Sequence, residues 1–169
     1  FSGGMSSIVF QEIREFRSLA YSSWASYSRP WYNGKNGYFR GYVGCQADKT
    51  IEAISVFKDI TFNMPLKPER LEQTKSGLIK GINSKRPNFR SFPQMVSSWS
   101  KQGYSDDPRK AQVDYFNEMS FDDIVDFQKA HISNKPMTIT ILTDKERIDM
   151  EELKKFGEIV ILKKKDILN

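Results

Sequence analysis

Apolar positions along the chain change period several times, and each change marks an element. Residues 8–16 carry Ile8, Val9, Ile13 and Phe16 at helical spacing, with Ser6 or Ser7 placed to cap the helix. It should stop near Arg17 and Ser18. Residues 19–28, "LAYSSWASYS", then alternate as a strand does, with Leu19, Tyr21, Ser23, Ala25 and Tyr27 on one face. Pro30, Asn33-Gly34 and Asn36-Gly37 supply turn chemistry. A second strand, "YFRGYVGCQ", completes an antiparallel hairpin with a long loop. Gly41 and Gly44 in that strand point to a bulge or a close approach.

Helical spacing returns after Asp48, a candidate N-cap. Ile51, Ile54, Phe57, Ile60 and Met64 fall on one stripe. Further helices are expected around Leu71, Leu78, Ile79 and Ile82, and around Phe92, Met95, Val96 and Trp99. The latter carries Pro93 in its first turn and ends at Gly103. "SDDP" at 105–108 precedes a helix through Ala111, Tyr115 and Phe116. Ser120 and Asp123 form a capping box for a helix through Ile124, Phe127 and His131. Residues 137–144, "MTITILTD", are β-branched and predict a strand. A short helix ending at Gly157 and a closing strand from 158 follow. The order α-β-β-α-α-α-α-β-α-β predicts an α+β fold, with helices on one face of a mainly antiparallel sheet.

Composition narrows the chemistry. The 169 residues suit a single domain, 1–169. Aromatic residues make up 13% and apolar residues 38%, enough for a core. No apolar run is long enough to span a membrane. The net charge of +5 is spread along the chain, as on a solvated lysine-rich surface. There is one cysteine, Cys45, and one histidine, His131. Neither an intrachain disulfide nor a His/Cys zinc site can be built from these, and no loop has the acidic alternation of a calcium site. Cys45, in a strand and remote in sequence from His131, reads as a structural thiol. His131 reads as a cation at a helix C-terminus. Trp24, Tyr27, Trp31, Tyr32, Tyr38, Phe39 and Tyr42, with Arg29 and Arg40, could be a stacking platform for single-stranded nucleic acid. Cross-strand packing of a hairpin is the plainer account of them, so no nucleic-acid partner is expected.

Arg14 and Tyr21 flank the first helix–strand corner. By spacing alone they read as an arginine capping a helix terminus and a tyrosine packed in a sheet. The surrounding segment, "GGMSSIVFQEIREFRSLAYSSWASYS" (residues 3–28), resembles the C-terminal half of the pitrilysin/insulinase family of inverted zinc metallopeptidases, to which mitochondrial processing peptidases belong. The carrying residues are Gly3, Gly4 and Met5, then Arg14, then Ala20, Tyr21 and Ser22. The resemblance continues through "GYFRGYVGCQADKTIEAI", "MSFDDIVDFQKAHISNKPMTITILTD" and "LKKFGEIVILKKKDIL". It is weakest over 66–119.

This resemblance implies a processing-peptidase-like α+β domain whose first strands precede the sequence given. It implies a catalytic zinc held by His-x-x-Glu-His in a separate N-terminal half, with no cofactor or metal bound by this chain. Arg14 and Tyr21 are then the site residues, stabilising the substrate carbonyl and its developing oxyanion during peptide hydrolysis. Arg17, one turn from Arg14, is the rival for the arginine role. The implied partners are the N-terminal catalytic half and a peptide or unfolded polypeptide, with a homodimer as a further possibility through an unpaired sheet edge. A non-catalytic structural or recognition homologue of the same fold is the alternative.

Overall fold

The computed structural model describes residues 12–13 and 20–167. The first predicted helix, including Gly3, Gly4, Met5, Ser6, Ser7, Arg14 and Arg17, lies outside the described residues, except for Glu12 and Ile13. Ile13 is fully buried.

Two strands, β1 (Ser22–Ser28) and β2 (Tyr38–Gly44), form a two-stranded antiparallel sheet. Alternation is visible in β1, where Ala25 is fully buried and its neighbours Trp24 and Ser26 are not. Two rings reinforce the hairpin. Trp24 stacks on Tyr42 across the strands, with centroids 6.3 Å apart. Tyr27 meets Phe127 edge-on at 5.1 Å. Gly37 is obligatory, because a Cβ there would sit 2.5 Å from Tyr27 Oη and 2.6 Å from the Ser28 carbonyl oxygen. The loop is anchored where the Asn33 N–H donates to the Lys101 carbonyl at 2.9 Å. Gly103 faces that loop at φ 89°, and a side chain there would collide with Asn33.

A single 3₁₀ turn (Ala47–Lys49) leads into helix α1 (Thr50–Phe62). Asp48 lies within that turn and so does not cap α1 as expected. The buried line of α1 is Ala53, Val56 and Ile60, continued by Met64 beyond its end. Ile51, Ile54 and Phe57, expected on the same stripe as Ile60 and Met64, are half-buried.

Four helices follow. They are α2 (Leu71–Ser84), α3 (Phe92–Lys101), α4 (Arg109–Glu118) and α5 (Phe121–His131). The expected local signals are all in place. Pro93 occupies the first turn of α3. Ser120 Oγ accepts from the Asp123 N–H at 3.2 Å, while the Ser120 N–H donates to Asp123 Oδ2 at 2.8 Å. α2 packs on α4. Gln128 is the buried residue of α5, and α2, α3 and α4 contain none.

Two expected strands are not formed. Residues 137–144 run without ladder pairing, and so do 158–163, which end in a helical turn, α7 (Lys164–Ile167), instead of a strand. Between them Asp149 caps the short helix α6 (Met150–Lys154) by accepting from the Glu151 and Glu152 N–H groups. Branched residues favour a pleated conformation, but a strand also needs a neighbour's backbone. Among the described residues β1 and β2 pair only with each other. In the last segment Asp166 Oδ2 accepts from the Lys163 N–H at 2.8 Å, a local closure that favours a turn.

The fold is therefore α+β, and its sheet is the hairpin alone among the described residues. Contacts divide the chain into two compact units. One gathers the hairpin's open end, α1 as far as Ile60, and the chain from Pro136 onward. The other holds residues 25–41 and 61–135.

Candidate substrate-binding corner

The corner that the sequence singles out begins at Ala20, whose small side chain is buried. Tyr21 follows at a bend just before β1, and its N–H donates to the Gly44 carbonyl at 3.0 Å, one step beyond the end of the ladder. Its backbone is thus tied to the end of β2 while its side chain is 80% exposed. Sequence alternation puts Tyr21 on the face of Ala25. The structure turns it out, because regular pleating starts only at Ser22. Arg14 lies outside the described residues, so the structure brings one of the two predicted site residues into view.

Tyr21 offers a largely exposed phenolic O–H just before β1, on backbone bonded to Gly44. That group can donate to a carbonyl or oxyanion oxygen. Next to it, Ser22 is exposed, whereas Ser23 Oγ is buried without a hydrogen-bond partner among the described residues. An unsatisfied buried hydroxyl costs stability.

The other candidates settle into structural surroundings. Burial pushes the Cys45 thiol above its ordinary range, against the opposing hydrogen bond with Thr50, and the nearby Asp48 charge pushes the same way as burial. A thiol kept protonated is a poor nucleophile, in keeping with a structural role. His131 lies in the last turn of α5, with its ring 4.7 Å from that of Phe127. Among the described residues no three His, Cys, Asp or Glu side chains come together as a possible metal site. No helix among the described residues is long and apolar enough to cross a membrane.

Two structural clusters escape a sequence reading. Gln128 Nε2 donates to the carbonyls of Thr61 (2.8 Å) and Phe62 (3.1 Å), and Ser133 Oγ donates to the Phe62 carbonyl (3.1 Å). These bonds secure the C-terminal carbonyls of α1 from more than sixty residues away, beyond the reach of any local pattern. Arg109 closes on Asp107 at the start of α4, with Nε bonds of 2.9 and 3.0 Å, and lies 5.4 Å over the Trp99 ring. That guanidinium holds the Asp107 carboxyl below its ordinary range. The "SDDP" motif signals the turn but not the ring beneath it.

Comparison with protein-family models gives no match to this chain, and comparison with curated proteins gives no significant match.

Proposed function

We propose that this chain is the C-terminal, non-zinc-binding part of a zinc-dependent metalloendopeptidase of the pitrilysin/insulinase type, with a processing-peptidase-like fold. In this reading Tyr21 and Arg14 bind the substrate backbone and stabilise charge on the scissile carbonyl. The observation that carries it is Tyr21, an exposed phenol on a strand end fixed by a backbone hydrogen bond to Gly44, within the most specific part of the resembling sequence.

The chemistry asked of these residues is modest. Peptide hydrolysis develops negative charge on the carbonyl oxygen, and a phenol O–H can donate to that oxygen more strongly as the charge grows. A guanidinium adds a rigid fork of donors that a lysine does not reproduce. The zinc belongs to the N-terminal half, where it would supply Lewis acidity.

The test is Tyr21→Phe in the chain joined to its zinc-binding half. Phenylalanine keeps the ring and removes only the donor. Loss of a transition-state donor lowers kcat by roughly 10²–10³ with little change in KM. Unchanged turnover removes Tyr21 from the mechanism and leaves the chain a recognition or structural role.

A further inference from the structure

The turn end of the hairpin carries a charge pattern that peptide hydrolysis does not use. Residues 25–41 contain Arg29, Lys35 and Arg40 and no aspartate or glutamate. The same stretch exposes three large rings, Trp31 at 77%, Tyr32 at 55% and Tyr38 at 50%. Cross-strand ring packing, the expectation from sequence, joins Trp24 to Tyr42, and among the described residues no ring pair includes these three. Arg29 and Lys35 make no ion pair among the described residues. Arg40 holds its guanidinium 5.9 Å over the Tyr38 ring. We propose that this end of the hairpin is a binding surface for single-stranded nucleic acid, with Trp31, Tyr32 and Tyr38 as stacking faces and Arg29, Lys35 and Arg40 as phosphate contacts.

Three observations favour this polymer over other anionic partners. Tyr38 and Arg40 are two residues apart on one strand, so ring and cation lie on one face, and Arg29 and Trp31 lie close together where the chain leaves β1. A strand of alternating base and phosphate needs this alternation of flat faces and cations. An acidic peptide would satisfy the cations and leave the rings unused. An anionic membrane would need a tip able to plunge. Here residues 30–37 contain no Leu, Ile, Val, Met or Phe, and the Asn33 N–H is held to the Lys101 carbonyl at 2.9 Å. The surface stands independently of the peptidase reading.

The experiment titrates fluorescein-labelled dT12 with the chain and follows anisotropy at rising salt. Saturable binding at 50 mM salt is expected. For about three neutralised phosphates, log K falls against log salt with a slope of about −2. Trp31→Ala weakens binding roughly tenfold, and Trp31→Phe, which keeps a stacking face, restores most of it. Joint Arg29→Gln and Lys35→Gln replacement flattens the slope to about −0.7. Far-UV circular dichroism confirms that each variant is folded; the ring and both cations are exposed. The proposal is overturned by any of four results: no saturable binding at low salt, full affinity in Trp31→Ala, equal competition by a polyglutamate peptide of matched charge, or binding to phosphatidylserine vesicles without binding to dT12.

Discussion

Replacing Gln128 by leucine tests how α1 is held at its C-terminal end. Gln128 is buried, and its amide donates to the carbonyls of both Thr61 and Phe62. Leucine fills nearly the same volume and donates nothing. Each intramolecular hydrogen bond contributes about 1 kcal/mol net, so losing two removes about 2 kcal/mol. For a chain of this size that lowers Tm by about 4–8 °C. Gln128→Glu sharpens the test, since an ionised carboxylate would set only acceptors against two carbonyl oxygens. It should destabilise more than leucine at neutral pH, because an unpaired buried charge is costly. The carboxyl so placed has a raised folded pKa, so the gap to leucine closes as pH falls and the group protonates into a donor. Ser133→Ala removes the third bond to this turn, and its effect should couple to that of Gln128→Leu because both reach the Phe62 carbonyl. Urea unfolding followed by circular dichroism reads all of these. The reasoning fails if Gln128→Leu stays within about 0.5 kcal/mol of the parent, or if Gln128→Glu is no worse than leucine at pH 7.

Two further outcomes follow from the hairpin and from α5. Gly37→Ala drives a methyl against Tyr27 Oη and the Ser28 carbonyl, and the second is backbone that cannot swing away. It should cost about 1–3 kcal/mol in urea unfolding, and adding Tyr27→Phe should not restore it; full rescue would locate the strain in the phenol alone. Ser120→Ala removes the hydroxyl half of the capping box and should lower Tm by about 2–4 °C at pH 7. Bonds from the Ser120 hydroxyl, then from its amide, hold the Asp123 carboxyl below its ordinary range. A depressed folded pKa contributes stability that is present above the unfolded value of about 3.9 and is lost as pH falls through the folded value. The Tm difference between parent and variant should therefore shrink below about pH 4, and a difference constant from pH 7 to pH 3 would show that Asp123 is not coupled to the cap.

What the sequence reveals here depends on how far away the cause of each feature lies. The capping box at Ser120, Pro93 in the first turn of α3 and the hairpin loop are written within a few residues, and all are found where expected. Residues 137–144 and 158–163 carry the branched residues of strands, yet branching states a preference for a pleated surface and not the presence of a neighbour to pair with. Their exposed Ile139, Leu142, Val160 and Ile161 are apolar side chains left with no sheet face to cover. The same distinction governs the site. Tyr21 is identifiable from its surrounding motif, but the backbone partner that holds it, the Gly44 carbonyl, lies more than twenty residues away. Gln128 looks in sequence like any polar residue of an amphipathic helix, and only the end of α1 beside it gives its amide two acceptors. Trp31 and Tyr32 look like hairpin packing until the fold sends their neighbour Asn33 to α3 and leaves both rings in solvent. A local signal fixes an element, whereas a partner distant in the chain fixes whether a side chain is core or surface. Function rests on that second kind of information.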